Sequence, residues 1–256
     1  MIPRITPILL LNDNRLVKTS KFRNPVYIGD PVNAIRVFSQ KYVDEIIVVD
    51  ISKRKDRGIN FSLLEKMAEE CFSPLTYAGR VNSMDQVVRL FALGVEKVCI
   101  NSAIRNNPNL SYDLIDRFGS QSIIASIDIV KIFGKYRIYS HDRLLKYNLF
   151  SKNVLDYINL IAQQGFGELF INFINRDGMY TGYDVAMIVD ITDSVNCPVT
   201  ICGGCRDYND IWNLAKSSNV SGIAAGSIFV YRNQNKGVLI NYPSIDEIEE
   251  NLGVQL

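Results

Sequence analysis

The chain is short of the side chains on which metal and redox chemistry usually rest. Its one histidine, His141, follows a predicted hairpin, where a surface or loop role outweighs catalysis. The five cysteines (Cys71, Cys99, Cys197, Cys202 and Cys205) are odd in number and scattered over predicted buried elements. That suits a reducing compartment better than a disulfide framework. Cys202-Gly203-Gly204-Cys205 has the spacing of a redox or metal pair, but a four-ligand zinc site needs more than two thiolates, so neither a metal nor a cofactor is expected. There is no excess of charge either: 28 Lys and Arg stand against 27 Asp and Glu, which gives no global argument for nucleic acid. The apolar run from Met1 to Leu11 is too short to span a bilayer and has no small-residue cleavage site, so it reads as the first strand of a cytoplasmic protein. No low-complexity linker divides the chain.

What remains is an ordinary globule, 47% hydrophobic and 21% charged. Its length of 256 residues fits αβ barrels, which run to about 200 to 250 residues as one unit, so residues 1–256 are expected to form a single domain. Short apolar runs closed by polar or glycine residues alternate with segments of helical period. The runs are Ile5 to Leu11, Glu45 to Asp50, Leu75 to Ala78, Lys97 to Asn101, Ser122 to Ile129, Glu168 to Phe173, Val199 to Cys202 and Ser221 to Ala225. Eight strands with eight intervening helices predict an α/β fold, the TIM (β/α)8 barrel. Asp30-Pro31 opens the first helix, Asn82-Ser83 supplies caps before Met84 to Leu93, and Gly94 and Gly165 stand where helices stop. Alternation over Lys135 to Tyr139 predicts a small ribbon in the fifth βα loop.

The barrel is also duplicated. Pro74 to Gly79, followed by a helical stretch and then Val98 to Ile104, recurs as Pro198 to Gly204 and then Ala224 to Phe229. Two copies of one unit imply half-barrels related by a two-fold axis. Aligned toward their starts, the halves set Ile8 to Leu11 against Ser126 to Ile129, so that Asp128 in one half faces Leu10 in the other.

Barrel active sites form at the C-terminal strand ends. There the sequence offers Asp50, Gly79, Asn101, Asp128, Asn175 with Asp177, Gly203 with Gly204, and Gly226 with Ser227. Glycine loops let backbone N–H groups approach an anion, and a duplicated placement suits a ligand with phosphate at both ends. The loops are unequal, since the first reads Ala78-Gly79-Arg80: the Arg80 side chain either crowds the loop or reaches the anion itself. Lys53 to Arg57 is a basic loop, read equally as a solvated segment or as an attractor for an anionic substrate or acidic partner.

Arg4-Ile5-Thr6-Pro7, Lys18, Gly29-Asp30-Pro31, Asp44-Glu45, Asn101-Ser102-Ala103, Arg117 to Gln121, Asp128, Arg176-Asp177-Gly178 and Gly182-Tyr183-Asp184 together resemble HisF, the cyclase subunit of imidazole glycerol phosphate synthase. The resemblance runs from the first strand to about Val230. It implies a partnership with a HisH-like glutaminase, ammonia passing through the barrel core, and two strand-end aspartates closing an imidazole ring on a bisphosphorylated ribonucleotide. One aspartate matches Asp128; the other falls on Leu10, which carries no proton. The resemblance further implies a ring of four charges gating ammonia at the opposite end, here Arg4, Glu45, Lys97 and Glu168. Strand-end position and the resemblance together give the expected ligand or phosphate contacts as Lys18, Asp50, Gly79, Asn101, Ser102, Asp177, Gly178, Gly203, Gly204, Gly226 and Ser227, and Arg80 joins them through its guanidinium rather than through the family pattern.

Within that family the chain closely resembles HisF-like proteins associated with bacterial surface-polysaccharide synthesis, through Leu9-Leu10-Leu11, Lys21 to Pro31 and Val238 to Pro243. That branch implies an N-acetyl sugar amidotransferase that uses the ammonia to make an acetamidino sugar. Ala78, Arg80, Asn175 and the Lys53 to Arg57 loop depart from the cyclase pattern. Three functions follow as expectations: a repurposed ammonia conduit, an authentic cyclase of histidine synthesis, and a stand-alone phosphosugar-binding barrel.

Overall fold

A computed structural model describes residues 2–52, 58–140, 153–231 and 237–253. The basic Lys53 to Arg57 segment and His141 lie outside the described residues. The first strand, β1 (Arg4–Asn12), continues into two antiparallel strands, β2 (Arg15–Ser20) and β3 (Arg23–Gly29). The chain then alternates: α1 (Pro31–Ser39), β4 (Ile46–Asp50), α2 (Phe61–Glu69), β5 (Leu75–Ala78), α3 (Met84–Ala92) and β6 (Lys97–Ile100). Two helices follow, α4 (Ser102–Asn106) and α5 (Pro108–Phe118). The second half begins with β7 (Ile123–Ile132) and its hairpin partner β8 (Lys135–Ile138), then α6 (Val154–Ala162), β9 (Glu168–Phe173), α7 (Val185–Ser194), β10 (Val199–Cys202), α8 (Tyr208–Ser217) and β11 (Gly222–Ala225). Helices α9 (Ser227–Val230) and α10 (Ile245–Leu252) end the described chain.

Strands β1, β4, β5, β6, β7, β9, β10 and β11 pair in parallel in that order, and β11 pairs back onto β1 from Arg4↔Gly222 to Pro7↔Ala225. The sheet is therefore a closed eight-stranded TIM barrel, as the alternating pattern predicted. Strand alternation divides its apolar side chains between two cores. Ile8, Ile47, Cys99, Ile124, Phe170, Cys202 and Ala224 fill the lumen, with Leu10, Val49 and Ala78 packed on them. The complementary positions, such as Leu9, Ile46, Val48, Val98, Ala125 and Ile201, face the helices. Buried helix residues such as Leu64, Leu90 and Leu214 complete that outer layer, each contributing about 1.5 to 3 kcal/mol of transfer energy.

Local signals start the helices as expected. Asp30 accepts the Asn33 N–H at 2.8 Å with Pro31 in the first turn, and Ser83 caps α3. Among the described residues the helix count differs from one per strand, because the intervals after β6 and β11 each hold a short helix and a longer one. Pro108 opens α5 and ends the helical run before it.

The expected ribbon is present as β8, and its pairing extends β7 to Ile132, beyond the expected Ile129. The β2–β3 ribbon after β1 was not expected. With it, the two halves match closely: each opens with a long strand that feeds an antiparallel ribbon at the C-terminal end of the barrel. Among the described residues no helix is long and apolar enough to cross a membrane.

Candidate functional site

At the N-terminal end of the barrel four charges meet. Arg4 donates from Nε to Glu45 at 2.9 Å and from Nη2 to Glu168 at 2.6 Å. Lys97 Nζ lies 3.3 Å from Glu45 and 3.5 Å from Glu168. Both carboxylates are buried, and the Thr76 and Thr200 hydroxyls donate to Glu45 and Glu168 respectively. The structure thus brings together all four side chains that the resemblance implied, far apart in sequence. The two threonines were not anticipated, although strand alternation points both into the lumen. Below the ring, Tyr242 from the C-terminal segment donates to Ile5 O at 2.8 Å, while the Asp44 carboxylate accepts the Ile5 N–H at 2.8 Å.

Above the ring the lumen is mainly apolar up to the C-terminal mouth, with the buried Thr6 hydroxyl among its lining. There Asp128, only 5% exposed, accepts from Asn101 Nδ2 at 2.9 Å and stands in register with Asn172. Leu10 occupies the matching place in the first half and packs on the lumen cluster. Asn172 Oδ1 and Asn101 Oδ1 are buried without a hydrogen-bond partner among the described residues. Such atoms in a site that already holds a carboxylate are where a polar ligand atom would be accepted. Asn172 also escaped the sequence reading; two residues after the inward-facing Phe170, its position on β9 was the available signal.

The β2–β3 ribbon covers this mouth. Thr19 Oγ1 donates to Asp177 Oδ2 at 3.1 Å, Lys21 N donates to Asp177 O at 2.9 Å, and the Phe22 ring meets Tyr139 edge-on at 6.4 Å. Burial pushes the Asp177 carboxyl above its usual value. The ribbon also carries Lys18 inward, 5% exposed, its amine donating to Ile8 O at 2.6 Å. Burial pulls its pKa down from 10.5 to about 8, opposed by the attraction of Asp177. Gly226 makes room for it, since a Cβ there would sit 2.3 Å from Lys18 Nζ. Gly178 likewise admits the ribbon, a Cβ there falling 2.3 Å from Thr19 O.

The two glycine loops superpose in role. Gly79 has φ +110° and an added Cβ would meet Asp50 O at 2.4 Å; Gly203 has φ +103° and would meet Phe173 O at 2.7 Å. After them stand Arg80, at φ +61°, and Gly204, at φ +118°. The Arg80 side chain, left open by the sequence, folds back: Nη2 donates to Ser52 O and Nε lies 3.9 Å from Asp50 Oδ2. Asp50 Oδ1 in turn accepts the Ser52 N–H at 2.9 Å. In the second half burial raises the Tyr180 hydroxyl above its usual value, opposed by the neighbouring Ser227, a proximity the sequence did not announce. Ser102 begins α4 in the first half as Ser227 begins α9 in the second.

The residues predicted at the mouth therefore fall into three groups: Asp50, Gly79, Arg80 and Ser102 in the first half, Asn101 and Asp128 at the centre, and Lys18, Asp177, Gly178, Gly203, Gly204, Gly226 and Ser227 in the second half, with Arg4, Glu45, Lys97 and Glu168 apart at the opposite end. The Cys202–Cys205 spacing does not make a pair, because Cys202 lines the lumen and Cys205 the outer core. Burial raises both thiols, Cys205 to about 12. Among the described residues no cluster of three or more His, Cys, Asp or Glu side chains is placed to hold a metal ion.

Comparison with known proteins gives a consistent picture. A family model described as histidine biosynthesis protein matches residues 4–235. A Pseudomonas aeruginosa protein provisionally named imidazole glycerol phosphate synthase subunit hisF2 is 40% identical over 250 residues, covering 96% of this chain and 98% of its own. A Leptospira borgpetersenii protein, provisionally named imidazole glycerol phosphate synthase subunit HisF, is 39% identical over 245 residues, or 94% and 95% of the two chains. The imidazole glycerol phosphate synthase subunit HisF of Natranaerobius thermophilus is 33% identical over 250 residues, 97% and 98% of the two chains.

Proposed function

The chain belongs to the histidine biosynthesis protein family, among the HisF-like subunits of imidazole glycerol phosphate synthase, and on that premise we propose that it is a glutaminase-coupled ammonia conduit that no longer closes the imidazole ring. The observation that carries this reading is the contrast between the two ends of one lumen. The charge ring at the entrance is complete, with Arg4 spanning Glu45 and Glu168. At the exit one of the two inward strand-end positions is Leu10, packed in an apolar layer. General acid or base work is worth about 100- to 10,000-fold in rate, and Leu10 removes one of the two groups that would supply it.

In this reading a HisH-like glutaminase docks on the N-terminal face in the cytoplasm and releases ammonia against the ring. Docking displaces the Arg4 side chain, which is held by two carboxylates and is 34% exposed. The apolar lumen favours neutral ammonia over ammonium, because an unpaired charge there would lose its hydration. At the mouth, Lys18, Asp128 and the second glycine loop bind a phosphorylated small molecule. The ammonia leaves toward a separate acceptor enzyme, which on the chain's resemblance is an N-acetyl sugar amidotransferase of polysaccharide synthesis.

The test is glutamine hydrolysis by a purified HisH-type glutaminase titrated with this chain and with Lys97→Ala. Stimulation by the natural chain that is altered, or accompanied by ammonia leakage, in the variant supports the conduit. No stimulation and no association would remove it and leave a phosphosugar-binding barrel. One observation favours authentic cyclisation instead: Asp128 is kept, buried and oriented by Asn101. Growth of a cyclase-deficient histidine auxotroph on this chain would support that reading.

A further inference from the structure

We infer that the mouth of this barrel takes a ligand anionic at one end only, with Arg80 and Asp50 excluding a second anionic group. The inference rests on the proposed binding of a phosphorylated ligand in the second half. It follows from comparing the two copies of one loop. Gly79 and Gly203 play the same part, each pressed on the backbone carbonyl of the preceding barrel strand, Asp50 in one half and Phe173 in the other.

The side chains around them differ in sign. In the first half the strand end carries a carboxylate, Asp50, its side chain 12% exposed, and the residue after the glycine carries a guanidinium, Arg80, 18% exposed. They face each other at 3.9 Å, and Arg80 is further held by Ser52 O. An anion entering here would approach Asp50 and would have to draw Arg80 away from both acceptors. The cation is thus already neutralised, and the carboxylate adds repulsion of like charge.

In the second half no carboxylate stands at the strand end, since Phe173 takes the place of Asp50. Gly204 takes the place of Arg80, so the residue after the loop glycine carries no side chain of its own. Beside the following loop lies the ammonium of Lys18, 5% exposed, which gives one of its three N–H groups to Ile8 O. Gly226 leaves the space in which that amine sits. The first half pairs its cation with a carboxylate at 3.9 Å, whereas in the second half the nearby Asp177 carboxylate is taken by Thr19 Oγ1 and the Phe22 N–H, and among the described residues Lys18 forms no salt bridge with it. A symmetric scaffold has become an asymmetric receptor.

Calorimetric titration of the full chain with inorganic phosphate, fructose 6-phosphate and fructose 1,6-bisphosphate tests this. The natural chain is expected to bind one phosphate, and to bind the mono- and bisphosphate with affinities within about threefold of each other. Arg80→Gly relieves a left-handed backbone position and should fold; it is expected to prefer the bisphosphate by about tenfold or more. Asp50→Asn, which keeps Arg80 but removes the repulsive charge, should move in the same direction. Two phosphates per natural chain, a preference of the natural chain for the bisphosphate of about tenfold or more, or no phosphate binding by any of the chains would overturn the inference. None of these titrations involves a glutaminase, so failure of the conduit reading leaves their outcome standing, and the reverse holds as well.

Discussion

Replacing Lys18 by Met should make this protein more stable at neutral pH. The amine is buried under the β2–β3 ribbon, and its pKa falls from 10.5 to about 8 because burial disfavours the charged form. At 1.36 kcal/mol for each pKa unit, that fall costs the folded state roughly 3 kcal/mol wherever the lysine is charged in both states. Methionine keeps most of the volume and loses the charge. It also loses the hydrogen bond to Ile8 O, about 1 kcal/mol. The net expectation is a gain of about 2 kcal/mol at pH 7, or roughly 4 to 8 °C in Tm for a chain of this size.

The sign of the pH dependence is specific. Between about pH 8 and 10.5 the unfolded chain still holds a proton that the folded chain has released, so the lysine contribution to stability rises with pH in that window. From pH 7 to 9 the natural chain should recover about 1.4 kcal/mol relative to the variant. Urea unfolding of both chains at the two pH values measures this. A variant that is less stable at pH 7, or a stability difference that does not change between pH 7 and 9, would refute the reasoning. A confirmed gain would mean that a costly buried charge is retained at the mouth, as a ligand-binding role requires.

Arg4→Met leaves the buried Glu45 and Glu168 with Lys97 as their remaining cation in the ring, and should cost about 3 to 5 kcal/mol in the same assay. A loss below about 1 kcal/mol would mean that the ring is loosely held. Gly79→Ala forces a Cβ to 2.4 Å from Asp50 O at φ +110° and should cost about 2 kcal/mol or more. Gly58→Ala, with nothing within 4 Å, should stay within about 0.5 kcal/mol. Tyr242→Phe, which removes the hydroxyl donor to Ile5 O, should cost about 1 kcal/mol by urea unfolding.

The barrel was legible because parallel strands buried on both faces write continuous apolar runs, and the eight runs from Ile5 to Ala225 became the eight barrel strands with small shifts at their ends. The β2–β3 ribbon was not, for physical reasons. Asp13 and Asn14, both at positive φ, are a recognisable hairpin turn, but the second turn is made by Lys21 and Phe22 at φ +51° and +61°, residues without turn preference. Its outer strand β3 contains Pro25, is mostly exposed and forms the end of the sheet path, so it carries no apolar alternation. The charge ring was expected only through the resemblance to HisF, which supplied Arg4, Glu45, Lys97 and Glu168; Thr76 and Thr200, which complete it, look like ordinary strand residues. The direction of the Arg80 side chain depends on Ser52 and Asp50, 28 and 30 residues away, and no local pattern encodes it.

The central claim, a retained entrance with a lost ring closure, is tested most directly by ammonia-dependent cyclisation of the imidazole glycerol phosphate synthase ribonucleotide by the purified chain, with Leu10→Asp alongside. External ammonia bypasses any missing glutaminase. The account predicts no turnover by the natural chain, whether or not the restored carboxylate brings activity back. Robust turnover by the natural chain would contradict it, showing that Asp128 suffices and that the lumen still feeds a working cyclase.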